Sequence, residues 1–99
     1  MEARIEYAFI GVIWRHDAPG GWYFVSLPKD ISREIKENLG WQEEGWGRMK
    51  ARARIGILSW ETAIWFDSKK KTYIIPMKAE IRKKASLEVD MKIDISIMI

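Results

Sequence analysis

Residues 72–85 read Thr72-Tyr73-Ile74-Ile75-Pro76-Met77-Lys78-Ala79-Glu80-Ile81-Arg82-Lys83-Lys84-Ala85, and the period of the apolar residues changes at Pro76. Ahead of it, Thr72 to Ile75 is β-branched and aromatic, which predicts a short strand. Proline has no N–H for the ladder, so Pro76 ends that strand. Behind it, Met77, Ile81 and Ala85 share one stripe at helical spacing and predict a short helix over 77–85. Met91 to Ile99 then alternates Met91, Ile93, Ile95, Ile97 and Ile99 against Lys92, Asp94 and Ser96, which is a strand. No polar tail follows it, so its end is expected to be paired.

The same order stands earlier in the chain. Trp22 to Leu27 is a strand ended by Pro28, and Ile31, Ile35 and Leu39 mark a helix with Asp30 as N-cap and Gly40 as C′ residue. At about ten residues it depends on packing to persist. After the loop Trp41 to Gly47, Arg48 to Ile55 alternates strictly. Two strand–Pro–helix–strand units, about 22–56 and 72–99, therefore lie within one domain spanning 1–99. Neither unit can bury its apolar face alone. Two facing copies close a common core, which predicts a mainly β fold with two short helices: a pseudo-twofold barrel capped by helices.

The flanking strands complete the set. Arg4 to Arg15 alternates, but both of its faces become apolar after Glu6, so it is expected to be buried on both. Pro19-Gly20-Gly21 reverses the chain into Trp22. Leu58 to Phe66 is a further strand, with Trp60, Thr62, Ile64 and Phe66 on one side, and Asp67 to Lys71 is a polar turn.

Composition narrows the classes. With 47% hydrophobic and 31% charged residues the chain is globular. No cysteine is present, which excludes disulfides, thiolate catalysis and cysteine-ligated zinc. Apolar runs stay near half a dozen residues and Met1 to Arg4 opens no signal peptide, so the expectation is a cytoplasmic protein with no membrane segment. Asn38 and Gln42 are the only side-chain amides beside abundant Ile, Lys, Arg and Glu, a bias of heat-adapted sources. The net charge of +3 is uneven: residues 1–49 carry six basic and eight acidic side chains, residues 50–99 eleven and six. The second half is thus suited to an anionic partner.

The segment Tyr73 to Lys83, an apolar strand, Pro76 and a short helix with the pair Ile81-Arg82, resembles the swapped hairpin of AbrB- and MazE-type proteins. Trp14, the run Trp22-Tyr23-Phe24-Val25-Ser26-Leu27-Pro28, Trp60-Glu61-Thr62, and Pro76, Lys78, Ile81 and Arg82 together resemble DUF1905, a prokaryotic family of unknown function, over residues 5–97. That resemblance implies a double-split β-barrel, related in topology to AbrB dimers but made from one chain. The family's Gly-Asp before the last strand is Val89-Asp90 here, a departure that bears on that turn. No catalytic or binding residues are established for that family, so the resemblance carries none over, and no cofactor is expected.

Candidate chemistry is sparse. His16, the only histidine, adjoins Asp17, but neighbours in a turn seldom align as base and carboxylate. Ser26, Ser59 and Ser96 lack a nucleophile elbow, and Glu43-Glu44 could bind a cation, although adjacent loop carboxylates are usually just solvated. No metal site and no enzymatic class is expected. Arg48, Lys50, Arg52 and Arg54 share one strand face about 7 Å apart, a row able to neutralise successive phosphates. Lys69 to Lys71 and Arg82 to Lys84 could extend it. The ordinary alternative is a charged outer face with acids on a neighbouring strand. Trp14, Trp22, Trp60 and Trp65 are expected in or near the core. Trp41 and Trp46 in the loop form a candidate ligand or partner surface, with packing over the barrel mouth as its alternative. The expectation is a binding module, monomer or homodimer, whose candidate partners are nucleic acid, a small ligand or a protein.

Overall fold

A computed structural model describes residues 5–17 and 20–99, apart from the side chain of Trp46. Arg4 and Pro19, placed above in the first strand and its turn, lie outside the described residues. The elements run β1 (Glu6–Arg15), β2 (Tyr23–Ser26), α1 (Lys29–Leu39), β3 (Arg48–Ile55), β4 (Leu58–Asp67), β5 (Thr72–Pro76), α2 (Ala79–Lys84) and β6 (Lys92–Met98). The strands close into one barrel in the order β1-β2-β5-β4-β3-β6, every neighbouring pair antiparallel. This is the mainly β barrel with two short helices that the period changes predict, of the double-split type that the family resemblance implies. No described helix is long and apolar enough to cross a membrane.

Exchanging β1 with β4, β2 with β5 and β3 with β6 leaves the ring order unchanged. The exchange centres on Val25 opposite Ile75 and on Arg54 opposite Ser96. Around the first centre, Leu27 N–H donates to the Tyr73 carbonyl and Met77 N–H to the Tyr23 carbonyl, at 2.9 and 2.8 Å. Leu27 therefore matches Met77, and Pro28 matches Lys78 rather than Pro76. Pro28 (φ −56, ψ 152) and Lys78 (φ −64, ψ 155) are the extended N-cap residues of the two helices. The two prolines are thus offset by two positions within the exchanged halves.

The helices differ from expectation at their ends. Asp30 sits inside the first turn of α1, its carboxylate accepting from Ile31 N–H at 2.9 Å. Gly40 keeps a right-handed conformation (φ −56) and the chain continues as a 3-10 turn over Gly40–Gln42. Helix α2 starts only at Ala79, and Met77 is buried ahead of it. In the last turn Asp90, not Val89, takes the left-handed φ of 71°, so that turn needs no glycine at 89. The final strand is paired as expected, Ile5 and Ile99 exchanging backbone hydrogen bonds at 3.0 Å.

Inward residues from all six strands form one core with Ile35 and Leu39 of α1 and Ile81 of α2. Burial of this apolar surface is the main force holding the strands in register. The outer face of β1 is the clearest departure: Ile10 is 66% and Val12 42% exposed, although both faces were expected to be covered. Both helices pack into the core cluster and neither covers this face. Gly11 lies on the inner face, and a Cβ there would collide with Val25 Cγ1. Val25 is wholly buried and cannot retreat. Gly11→Ala should lower stability in urea by about 1–3 kcal/mol, and Val25→Ala should relieve part of that loss in the double variant.

Candidate functional site

Strand alternation sends Met49, Ala51 and Ala53 into the core and Arg48, Lys50, Arg52 and Arg54 outward, so the cationic row exists as one face. It does not stand alone. Glu44 lies 3.3 Å from Arg48 and 3.9 Å from Lys50, Glu61 lies 2.5 Å from Arg52, and Glu6 lies 3.6 Å from Arg54. Arg52 also donates to Ser59 Oγ at 3.0 Å. Four cations thus meet three carboxylates, leaving a net charge of +1 on the face. These exposed pairs contribute only about 0–1 kcal/mol each to stability, but an incoming phosphate must compete with them.

The pairing follows partly from a local signal. Gly56, at φ +59°, occupies the first central position of a two-residue turn between Ile55 and Leu58, where a hairpin of this type needs positive φ. That turn sets Arg52 opposite Glu61. Glu44 comes from the loop four residues before Arg48, whereas Glu6 comes from β1 and nothing in the local sequence points to it. The proposed extensions of the row are also occupied in part. Lys70 Nζ lies 3.9 Å over the Trp14 ring, Arg82 stacks 3.7 Å over Tyr23, and Lys84 pairs with Glu80 at 3.1 Å.

The loop carrying Trp41 and Trp46 is anchored by a polar cluster at the barrel mouth. Lys36 of α1 donates to both Glu43 oxygens at 2.9 and 3.1 Å, and the Tyr73 hydroxyl donates to Glu43 at 2.5 Å. Lys36 also lies 4.4 Å over the Phe66 ring, which meets Tyr73 edge-on. With the mouth filled in this way, Trp41 is left 80% exposed, its indole donating to the Asn38 carbonyl at 3.2 Å. The Trp46 side chain lies outside the described residues. Trp14, Trp60 and Trp65 are half-buried as expected, whereas Trp22 is 54% exposed, because it precedes β2 and lies over the barrel's outside against Phe24.

Among the described residues three groups titrate away from their ordinary values. Burial pushes the Glu43 carboxyl up, but hydrogen bonds from Tyr73 and Lys36 outweigh it and hold it below the usual range. Burial first, and then the Glu43 carboxylate, push Tyr73 well up. Burial and the charge of Glu34 raise Tyr7. Burial together with neighbouring hydrogen bonds and charges accounts for each of these shifts. His16 and Asp17 are both exposed, and neither makes a side-chain hydrogen bond among the described residues. No group of three or more His, Cys, Asp or Glu side chains among the described residues could hold a metal ion.

Fold and surface together define a small closed barrel of double-split type with a charge-paired cationic strand and exposed indoles. A family model described as a domain of unknown function, DUF1905, matches residues 9–97, and the chain belongs to that family. No curated protein and no solved structure matches it.

The mouth cluster gives a pH signature. Glu43 has a lowered folded pKa, so its contribution is present above the ordinary value of 4.5 and is lost as pH falls through the folded pKa. Tyr73 has a raised one, so its contribution is complete below 10.0 and declines as pH rises beyond it. Urea midpoints should therefore be flat near neutrality and fall on both sides. Tyr73→Phe should lower the plateau by about 1–3 kcal/mol and flatten both limbs.

Proposed function

We propose that this chain is a non-enzymatic binding module of the prokaryotic cytoplasm that engages its partner through exposed aromatic side chains. The observation that carries this reading is a contrast between two surface features. Trp22 and Trp41 present indoles to solvent, while every cation of the row Arg48, Lys50, Arg52 and Arg54 faces a carboxylate. Tryptophan supplies large contact area with few rotatable bonds, and it is enriched where binding energy concentrates.

Nucleic-acid binding is the second reading. Two features favour it: the resemblance in topology to AbrB-type DNA-binding proteins, and Lys69, Lys71 and Lys83, which make no ion pair among the described residues. Fold analogy alone does not transfer an activity. The phosphate term is strongest at low salt, so fluorescence anisotropy with labelled duplex DNA and single-stranded RNA at ~50 mM salt separates the two. The expected result is no binding tighter than about 100 μM. Glu44→Gln with Glu61→Gln should free the row and increase retention on heparin. Tight binding by the unaltered protein, falling steeply with salt, would reverse the order of the two readings.

A further inference from the structure

The exchange that preserves the barrel also pairs side chains on its outer face. Trp14 lies opposite Phe24 and Trp65 opposite Ile74, so these tryptophans occupy matching positions. Two residues before each, Val12 matches Ala63. On the neighbouring strands Ser26 matches Pro76.

The Trp14 site is complete. Its indole N–H donates to Ser26 Oγ at 2.9 Å, its ring packs on Phe24 with centroids 5.1 Å apart, and Lys70 caps it. At Trp65 the matching acceptor is missing, because proline has no hydroxyl. Trp65 Nε1 is enclosed and without a hydrogen-bond partner, a state that buried N–H groups rarely keep. Alanine in place of valine at 63 also removes two methyl groups from the surface there. What remains is a hollow of about 490 Å³ lined by Trp22, Ala63, Trp65 and Pro76, with Arg48, Lys50, Lys78 and Glu61 at its rim.

The rim charge is unevenly committed. Glu61 is held by Arg52, and Arg48 by Glu44. Lys50 has only a 3.9 Å contact with Glu44 and is 79% exposed, and Lys78 makes no ion pair among the described residues. The available charge is therefore cationic, beside an aromatic and aliphatic floor. The volume falls in the range of sites for small molecules.

We propose that the hollow over Ala63, walled by Trp22, Trp65 and Pro76, binds a small aromatic carboxylate, with Lys50 and Lys78 receiving the carboxylate. The flat ring covers Trp65 as Phe24 and Lys70 cover Trp14 in the other half. The proposal rests on the binding-module reading above and adds the site and the ligand class.

Two-dimensional 1H–15N NMR resolves the six indole N–H groups individually, so it reports the site directly. Indole-3-acetate is the probe and tryptophol, which has the same ring without the charge, is the control. The expected result is a saturable shift of the Trp22 and Trp65 signals, with tryptophol at least about tenfold weaker. Ala63→Leu should fill the hollow and abolish the shifts while the spectrum stays dispersed. Lys50→Gln with Lys78→Gln, a surface change that leaves the core untouched, should weaken indole-3-acetate to the level of tryptophol. No saturable shift up to about 5 mM would overturn the proposal. So would equal affinity for tryptophol, or binding indifferent to both sets of substitutions. Shifts centred on Trp41 would overturn the hollow as the site while leaving the binding-module reading standing.

Discussion

The barrel depends on the seam where β2 meets β5. Three residues pair on each side, with Val25 against Ile75 at the centre and one backbone hydrogen bond crossing beyond each end. These segments lie some fifty residues apart in the chain, so closing the seam carries the entropy of a long loop. The return is shared: Val25, Leu27, Tyr73, Ile75 and Met77 are all essentially buried, and each strand leads straight into a helix that packs on the same core. Ser32 of α1 ties the helix back to this region, its hydroxyl accepting from Tyr73 N–H at 3.0 Å. Without the seam neither half could cover its apolar face.

The two halves share topology but not surface. On the β3–β4 side Arg52 faces Glu61; the matching pair on the β6–β1 side is Asp94 and Ile10. On one side the outer face is an ion-paired lattice, and on the other Ile10 and Val12 stand exposed on β1. The same divergence governs Trp14 and Trp65, where serine opposed to proline and valine opposed to alanine turn a filled site into a hollow. A closed barrel buries its core with only the inward residues, which leaves the outward ones free to differ.

Length also differs. The exchange offsets are 50 residues for β2 onto β5 and 42 for β3 onto β6, so the first connection is eight residues longer. The extra chain includes the 3-10 turns that bring Glu43 to Lys36 and Tyr73. Once that carboxylate occupies the mouth, Trp41 is held outside it. The exposed indole thus follows from a partly buried polar contact about two residues away.

Strand and helix positions were legible in the sequence because period is a local property. Arg48 to Ile55, Met91 to Ile99 and the punctuation at Pro28 and Pro76 needed no knowledge of the partners across the sheet. The outward direction of Arg48, Lys50, Arg52 and Arg54 was legible for the same reason. Which surfaces are covered and which charges are neutralised was decided by tertiary structure. Ile10 and Val12 are exposed because no helix crosses them, and the row is paired because Glu6, Glu44 and Glu61 arrive from three separate segments. The proline-to-proline correspondence, natural by order alone, yields to the hydrogen bonds that match Leu27 with Met77. Alternation determines the face on which a side chain stands, but what it meets there depends on how the neighbouring strands and loops fold against that face.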